Sequence, residues 1–155
     1  KKPLEYIMNH PDSLIGFSDA GAHLRNMAFY NFPLKMLAQA HLAQKEAKPF
    51  MSVHRAVHRL TGEIGDWFGL NVGHIKPGAR ADIVVVDPNH LTDAMEGPVE
   101  APIHGFGGFE RMVNRNPNAI PAVLINGRIA VQNGQPVEEL GQSKRFGQLL
   151  RAQDS

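Results

Sequence analysis

Apolar residues recur along this chain at two different periods, and the change from one to the other divides it. In residues 1–62 they return every three or four positions. Leu4, Ile7 and Met8 share one face of a helix that His10-Pro11-Asp12 stops, and a short strand over residues 13–17 should follow. Asn31 is placed to cap a second helix with Pro33 in its first turn. Leu34, Leu37, Ala38 and Leu42 then lie on one face as far as Lys48-Pro49. Ser52 caps a third helix, where Val53, Ala56, Val57 and Leu60 form the inward stripe until Thr61-Gly62. Each stripe needs a sheet or another helix to cover it.

From Pro77 the pattern turns to strands. Residues 83–86, Ile-Val-Val-Val, form a continuous apolar run, which predicts a strand buried on both faces. Ala122-Val123-Leu124-Ile125, then Asn126-Gly127, then Arg128-Ile129-Ala130-Val131 reads as a hairpin, because Asn and Gly tolerate the positive φ angles of a type I′ turn. Residues 93–121 are rich in Pro, Gly and Asn and read as a long irregular excursion. Residues 143–152 read as a final helix with Phe146, Leu149 and Leu150 inward. The boundary between the two characters divides the chain into residues 1–62 and 63–155.

Composition narrows the functional classes. Sixteen basic residues against 15 acidic leave a net charge of +1, with no basic stripe interleaved with aromatics, so no nucleic-acid partner is expected. There are no cysteines, which removes disulfides and thiolate chemistry from the chain. No run approaches the ~18 apolar residues of a membrane span, so a cytoplasmic chain without a membrane partner is expected. At 155 residues the chain is long enough to bury a real core.

The chemistry concentrates in Leu14-Ile15-Gly16-Phe17-Ser18-Asp19-Ala20-Gly21-Ala22-His23, where a short apolar segment delivers a carboxylate and then an imidazole to a turn of small residues. Asp19 reads either as a turn or helix cap or as a functional carboxylate at the open end of a strand. His23, four residues on, shares a face with Asp19 if the turn opens into a helix. It then either meets substrate or is satisfied by a backbone carbonyl. Arg25 is a candidate for a substrate carboxylate, which a guanidinium docks bidentately, or else faces solvent.

Two further motifs read as structural. His54 and His58 have the i, i+4 spacing of helical metal ligands, but Arg55 stands where a zincin needs its Glu, so both are placed on the helix surface. Asp82 reads as a cap on turn amides. Gly105-Phe106-Gly107-Gly108 lacks the strand-to-helix setting of a nucleotide loop, and with His104 it is a candidate flap.

Three segments together carry a resemblance: Ser18-Asp19, then Ala56-Val57-His58-Arg59-Leu60-Thr61, then Lys76-Pro77-Gly78-Ala79-Arg80-Ala81-Asp82-Ile83-Val84-Val85-Val86-Asp87. In that order they resemble the C-terminal part of the amidohydrolase superfamily of metal-dependent hydrolases. More narrowly, they resemble the N-acyl-D-amino-acid deacylase, or D-aminoacylase-like, branch. Many D-aminoacylases carry Gly where this chain has Ala20, which touches substrate detail.

The resemblance implies an α/β plus β fold, the C-terminal end of a (β/α)8 barrel followed by part of a small β-sandwich. It implies that Asp19 is the acid/base and a metal ligand, facing zinc-activated water. One or two zinc ions would be bound mostly by residues outside this chain. The implied substrate is a small N-acyl amino acid. A hydantoinase- or dihydroorotase-like cyclic-amide hydrolase, or a non-catalytic interaction module descended from such an enzyme, are the alternatives. Since a complete barrel takes about 250 residues, the chain is expected to be an inactive portion that pairs with its upstream barrel half or with itself.

Overall fold

The computed structural model describes residues 2–16, 31–92, 97, 99–103, 105, 107–113 and 115–152. Four helices come first: α1 (Lys2–Asn9), α2 (Phe32–Lys45), α3 (Val53–Leu60) and α4 (Gly62–Trp67). Six strands follow: β1 (Ile83–Val85), β2 (Val99–Pro102), β3 (Glu110–Val113), β4 (Ala122–Ile125), β5 (Arg128–Gln132) and β6 (Gln135–Pro136). They make a four-stranded sheet in the order β1-β4-β5-β6 and a separate β2-β3 pair. Every pairing is antiparallel.

That pattern overturns the expected end of an α/β barrel followed by part of a sandwich. Barrel strands run parallel and alternate with helices. Here the described strands are all antiparallel and all follow the helices in sequence. Residues 13–16, the described part of the expected strand that leads to Asp19, form no strand. A lone extended segment needs a neighbour to bond with, and the polar groups of Ser13 are instead drawn to Ile7, His10 and Arg59.

The helical layer is organised around α2, which is apolar on more than one side. Leu34 and Ala38 pack with Leu91 and Ala119 in one cluster, joined by Val86 and Ile120. Met36 and Ala40 pack with Met51 and Ala56 in another, joined by Met8, Ile15 and Val53. Leu37 touches both clusters. A helix with apolar residues on several sides belongs between two layers, and α2 lies between α3 and the segments that flank β1 and β4. Ala40 and Ala56, both fully buried, let α2 and α3 approach closely.

Local signals explain most of the boundaries. The Ser52 hydroxyl accepts from the Arg55 amide at 3.1 Å and caps α3. Asn126 (φ 52°) and Gly127 (φ 77°) close β4 and β5 as the expected type I′ turn. Asn133 and Gly134 repeat the device between β5 and β6. A Cβ on Gly134 would fall 2.4 Å from the Pro117 Cβ, so the second turn also needs glycine for space.

Other expectations are corrected. Residues 83–85 are not buried on both faces: β1 is an edge strand of its sheet, and Val84 is 56% exposed. The excursion over residues 93–121 contains the β2-β3 hairpin. Residues 143–152 form no helix in their described part, and Leu149 and Leu150 are exposed. On α3 the buried positions are Ala56 and Arg59, while Val57 is 43% exposed.

Candidate functional site

A pocket of about 660 Å³ opens between the helical layer and the four-stranded sheet. Leu34 and Leu37 of α2, Val57 and Leu60 of α3, and Ile83 and Val84 of β1 give it apolar walls. Asn31, His74, Lys76, Arg80, Asp82 and Asn116 supply its polar groups. Size and character match the usual small-molecule site, a mostly apolar concavity with a few convergent polar groups.

Arg80 and Asp82 anchor the sheet side. The Arg80 side chain is 9% exposed, and its Nε donates to Asp82 Oδ2 at 2.5 Å. Asp82 Oδ1 accepts from the Asn126 amide at 2.6 Å, so one carboxylate ties Arg80 to the β4-β5 turn. Partial burial opposes ionisation of Asp82. The Asn126 amide and the Arg80 guanidinium outweigh that and hold its carboxyl below the ordinary aspartate value. This is the structural role expected of Asp82, although the amide it caps belongs to the distant hairpin.

A pH dependence follows from that shift. A carboxyl whose folded pKa lies below its unfolded value of about 3.9 stabilises the fold at pH above that value. The contribution is lost as pH falls through the folded pKa. Asp82→Asn keeps an acceptor for Asn126 but not the charge. It should therefore cost about 1 kcal/mol at pH 7, the half-exposed setting screening the rest, and show a shallower loss of stability from pH 4 downward. Urea unfolding of both proteins at several pH values measures this. Parallel curves would exclude the ion pair as a source of acid sensitivity.

On the helical side the strongest polar feature is Arg59, 1% exposed. Its Nη1 donates to the His10 carbonyl at 3.1 Å and lies 3.2 Å from Glu63 Oε1. Its Nη2 donates to the Ser13 carbonyl, and to the Ser13 hydroxyl at 3.3 Å. One guanidinium thus pins the loop after α1 to α3 and α4. Residues 10–13 lead directly toward the segment that carries Asp19. Beyond them, a Cβ on Gly16 would lie 3.5 Å from Ile64 of α4.

Asp19, His23 and Arg25 themselves, like His104, lie outside the described residues. Their flanks are described: Gly16 near α4 on one side, and Asn31, which lines the pocket, on the other. His54 and His58 are exposed on α3, as expected. The His58 Nδ1 lies 3.1 Å from Arg55 Nη1 and 3.7 Å from Glu63 Oε2. His74 Nε2 is 3.2 Å from Asp66 Oδ1, and a Cβ on Gly62 would meet both His58 and His74. Among the described residues no three His, Cys, Asp or Glu side chains converge on a point where they would hold a metal ion. Gly105, Gly107 and Gly108 all have positive φ, a region that glycine adopts most readily.

The sequence reading missed Arg59, Glu63, His74 and the pocket face of Asn31 and Arg80. Arg59 follows Ala56 by three residues on the buried side of α3, so helical spacing was available as a signal. It was obscured because arginine is so seldom fully buried.

No protein-family model matches this chain, and no solved structure matches it. Uncharacterized proteins of Mycobacterium bovis and of two strains of Mycobacterium tuberculosis are each 44% identical to it over 153 residues. The match covers 96% of this chain and 25% of each relative, so the chain spans about a quarter of their length. No helix among the described residues is long and apolar enough to cross a membrane.

Proposed function

We propose that this chain is the C-terminal part of a hydrolase that cleaves the N-acyl amide bond of D-amino acids, of the metal-dependent amidohydrolase kind. The observation that carries the reading is the ordered set of three motifs, Ser18-Asp19, residues 56–61 and residues 76–87. The folding of the last two supports it. Residues 56–61 run along α3 into its C-terminal turn, where the Thr61 hydroxyl donates to the Val57 carbonyl at 2.8 Å. Pro77-Gly78 forms a turn with Gly78 at φ 81°, Asp82 is fixed to a second turn, and β1 follows at once.

On this reading Asp19 accepts the proton released by the attacking water and returns it to the departing amine. A carboxylate does this well when its ionised form prevails at the working pH. Zinc, the ion such hydrolases use, lowers the pKa of bound water toward ≈ 7. Among the described residues no three His, Cys, Asp or Glu side chains would hold that ion, and on this reading Asp19 is a ligand while most of the others lie outside this chain. His23 and Arg25 face the substrate, with Arg25 toward its carboxylate.

The full-length protein should release free amine from an N-acetyl-D-amino acid and leave a hydantoin ring intact. Ring opening of the cyclic amide without cleavage of the linear one would move the activity to the cyclic-amide class. No turnover of either would contradict the hydrolase reading.

A further inference from the structure

The pocket between α2, α3 and β1 contains buried hydrogen-bonding groups that have no partner among the described residues. Arg80 Nη1 is one, on a side chain 9% exposed, and both Nδ2 and Oδ1 of Asn31 are others. Arg80 and Asn31 both line the pocket. Buried polar atoms almost always have a partner, because an unpaired one bears the whole cost of its lost hydration. Here three such atoms lie around a single apolar cavity.

Asn31 makes the point sharply. It occupies the N-cap position of α2, where its side chain would ordinarily bond the helix amides, and it makes no such bond. Its amide is committed neither to the helix nor to another described group.

We propose that this pocket binds an aliphatic chain that ends in a carboxylate. Arg80 Nη1 donates to the carboxylate, and the chain lies along Leu34, Leu37, Val57 and Leu60. The charge balance of the lining favours an anion, since Arg80 and Lys76 stand against Asp82 alone. Asp82 takes the Arg80 Nε and the Asn126 amide and leaves Nη1 unbonded. The cavity has the volume of on the order of twenty waters, which a chain of eight to ten carbons displaces with gain. This site does not depend on the hydrolase reading, because it uses none of Asp19, His23 or Arg25.

Two sources share this chemistry, a free fatty acid and an N-acyl amino acid, and the Asn31 Oδ1 finds an N–H donor only in the second. Calorimetric titration of the full-length protein with decanoate, decanol and N-octanoylglycine separates them. Decanoate should bind at least about tenfold more tightly than decanol, the worth of one charge-assisted hydrogen bond. Tighter binding of N-octanoylglycine than of decanoate assigns the site to acylated amino acids, and the reverse order assigns it to free fatty acids; either result supports the carboxylate site.

Arg80→Gln should remove the preference for decanoate over decanol. Because Arg80 also braces Asp82, a second variant avoids the ion pair: Val57→Trp fills the cavity from α3 and should abolish binding with an unchanged thermal melt. Equal affinity for decanoate and decanol would overturn the proposal. So would binding that Val57→Trp leaves intact, or no binding by a protein that melts cooperatively.

Discussion

Arg59→Ala should cost about 3 kcal/mol, from the cavity it leaves and the two carbonyls that lose their donor. The substitution strips the donors from the His10 and Ser13 carbonyls and from Glu63, and leaves a hole between α1 and α3. Arg59→Met fills much of the hole without restoring a donor, so it should recover part of the loss and still cost on the order of 2 kcal/mol. Glu63 keeps a second cation in Arg55, which is why removing Arg59 does not strand a bare buried carboxylate. For a chain of this size, the Ala variant should melt about 10 °C lower. Urea midpoints and limited proteolysis report it, with new cleavage expected near residues 10–16, where the loop loses its anchor. A cost under about 1 kcal/mol would mean that the guanidinium is dispensable and that packing alone holds α1.

The second large effect concerns catalysis. In the full-length protein, Asp19→Asn should lower kcat by about 10²–10⁴, the usual contribution of a positioned acid/base. Asparagine keeps the size and an acceptor oxygen but cannot carry the proton from water to amine. The expected pattern is a collapse of kcat with little change in the melting temperature. A cap, the other reading of Asp19, predicts that turnover persists, since asparagine caps about as well as aspartate and leaves stability nearly unchanged. The Arg59 variants add an internal check. They should damage turnover through the segment that leads to Asp19, and in proportion to their loss of stability rather than independently of it.

The features legible in the sequence are those that a few adjacent residues decide. Asn126-Gly127 forces its turn because only residues tolerant of positive φ close it, and Ser52 caps α3 through a bond within its own first turn. Position on a helix face was legible only where polarity agreed with burial. Ala56 is buried as expected. Arg59 takes the inward place assigned to Val57, because two carbonyls and Glu63 offset the burial of its charge. Residues 83–85 look like an interior strand because all three side chains are apolar, yet exposure depends on how many strands flank them. β1 has a single neighbour, β4, among the described residues. The expected helix at 143–152 fails for a related reason: its apolar spacing is helical, but Leu149 and Leu150 meet no surface to bury them. The pocket was invisible in sequence, since Asn31, Val57 and Arg80 come together only through the packing of α2 and α3 beside β1.

The deacylase reading is tested most directly by the enantiomer-resolved hydrolysis of N-acetylmethionine by the full-length protein supplied with zinc. Release of D-methionine and acetate in equal amounts is expected, with the L-enantiomer untouched and the D-activity lost in Asp19→Asn. Intact substrate from both enantiomers, or D-hydrolysis that survives Asp19→Asn undiminished, would contradict it.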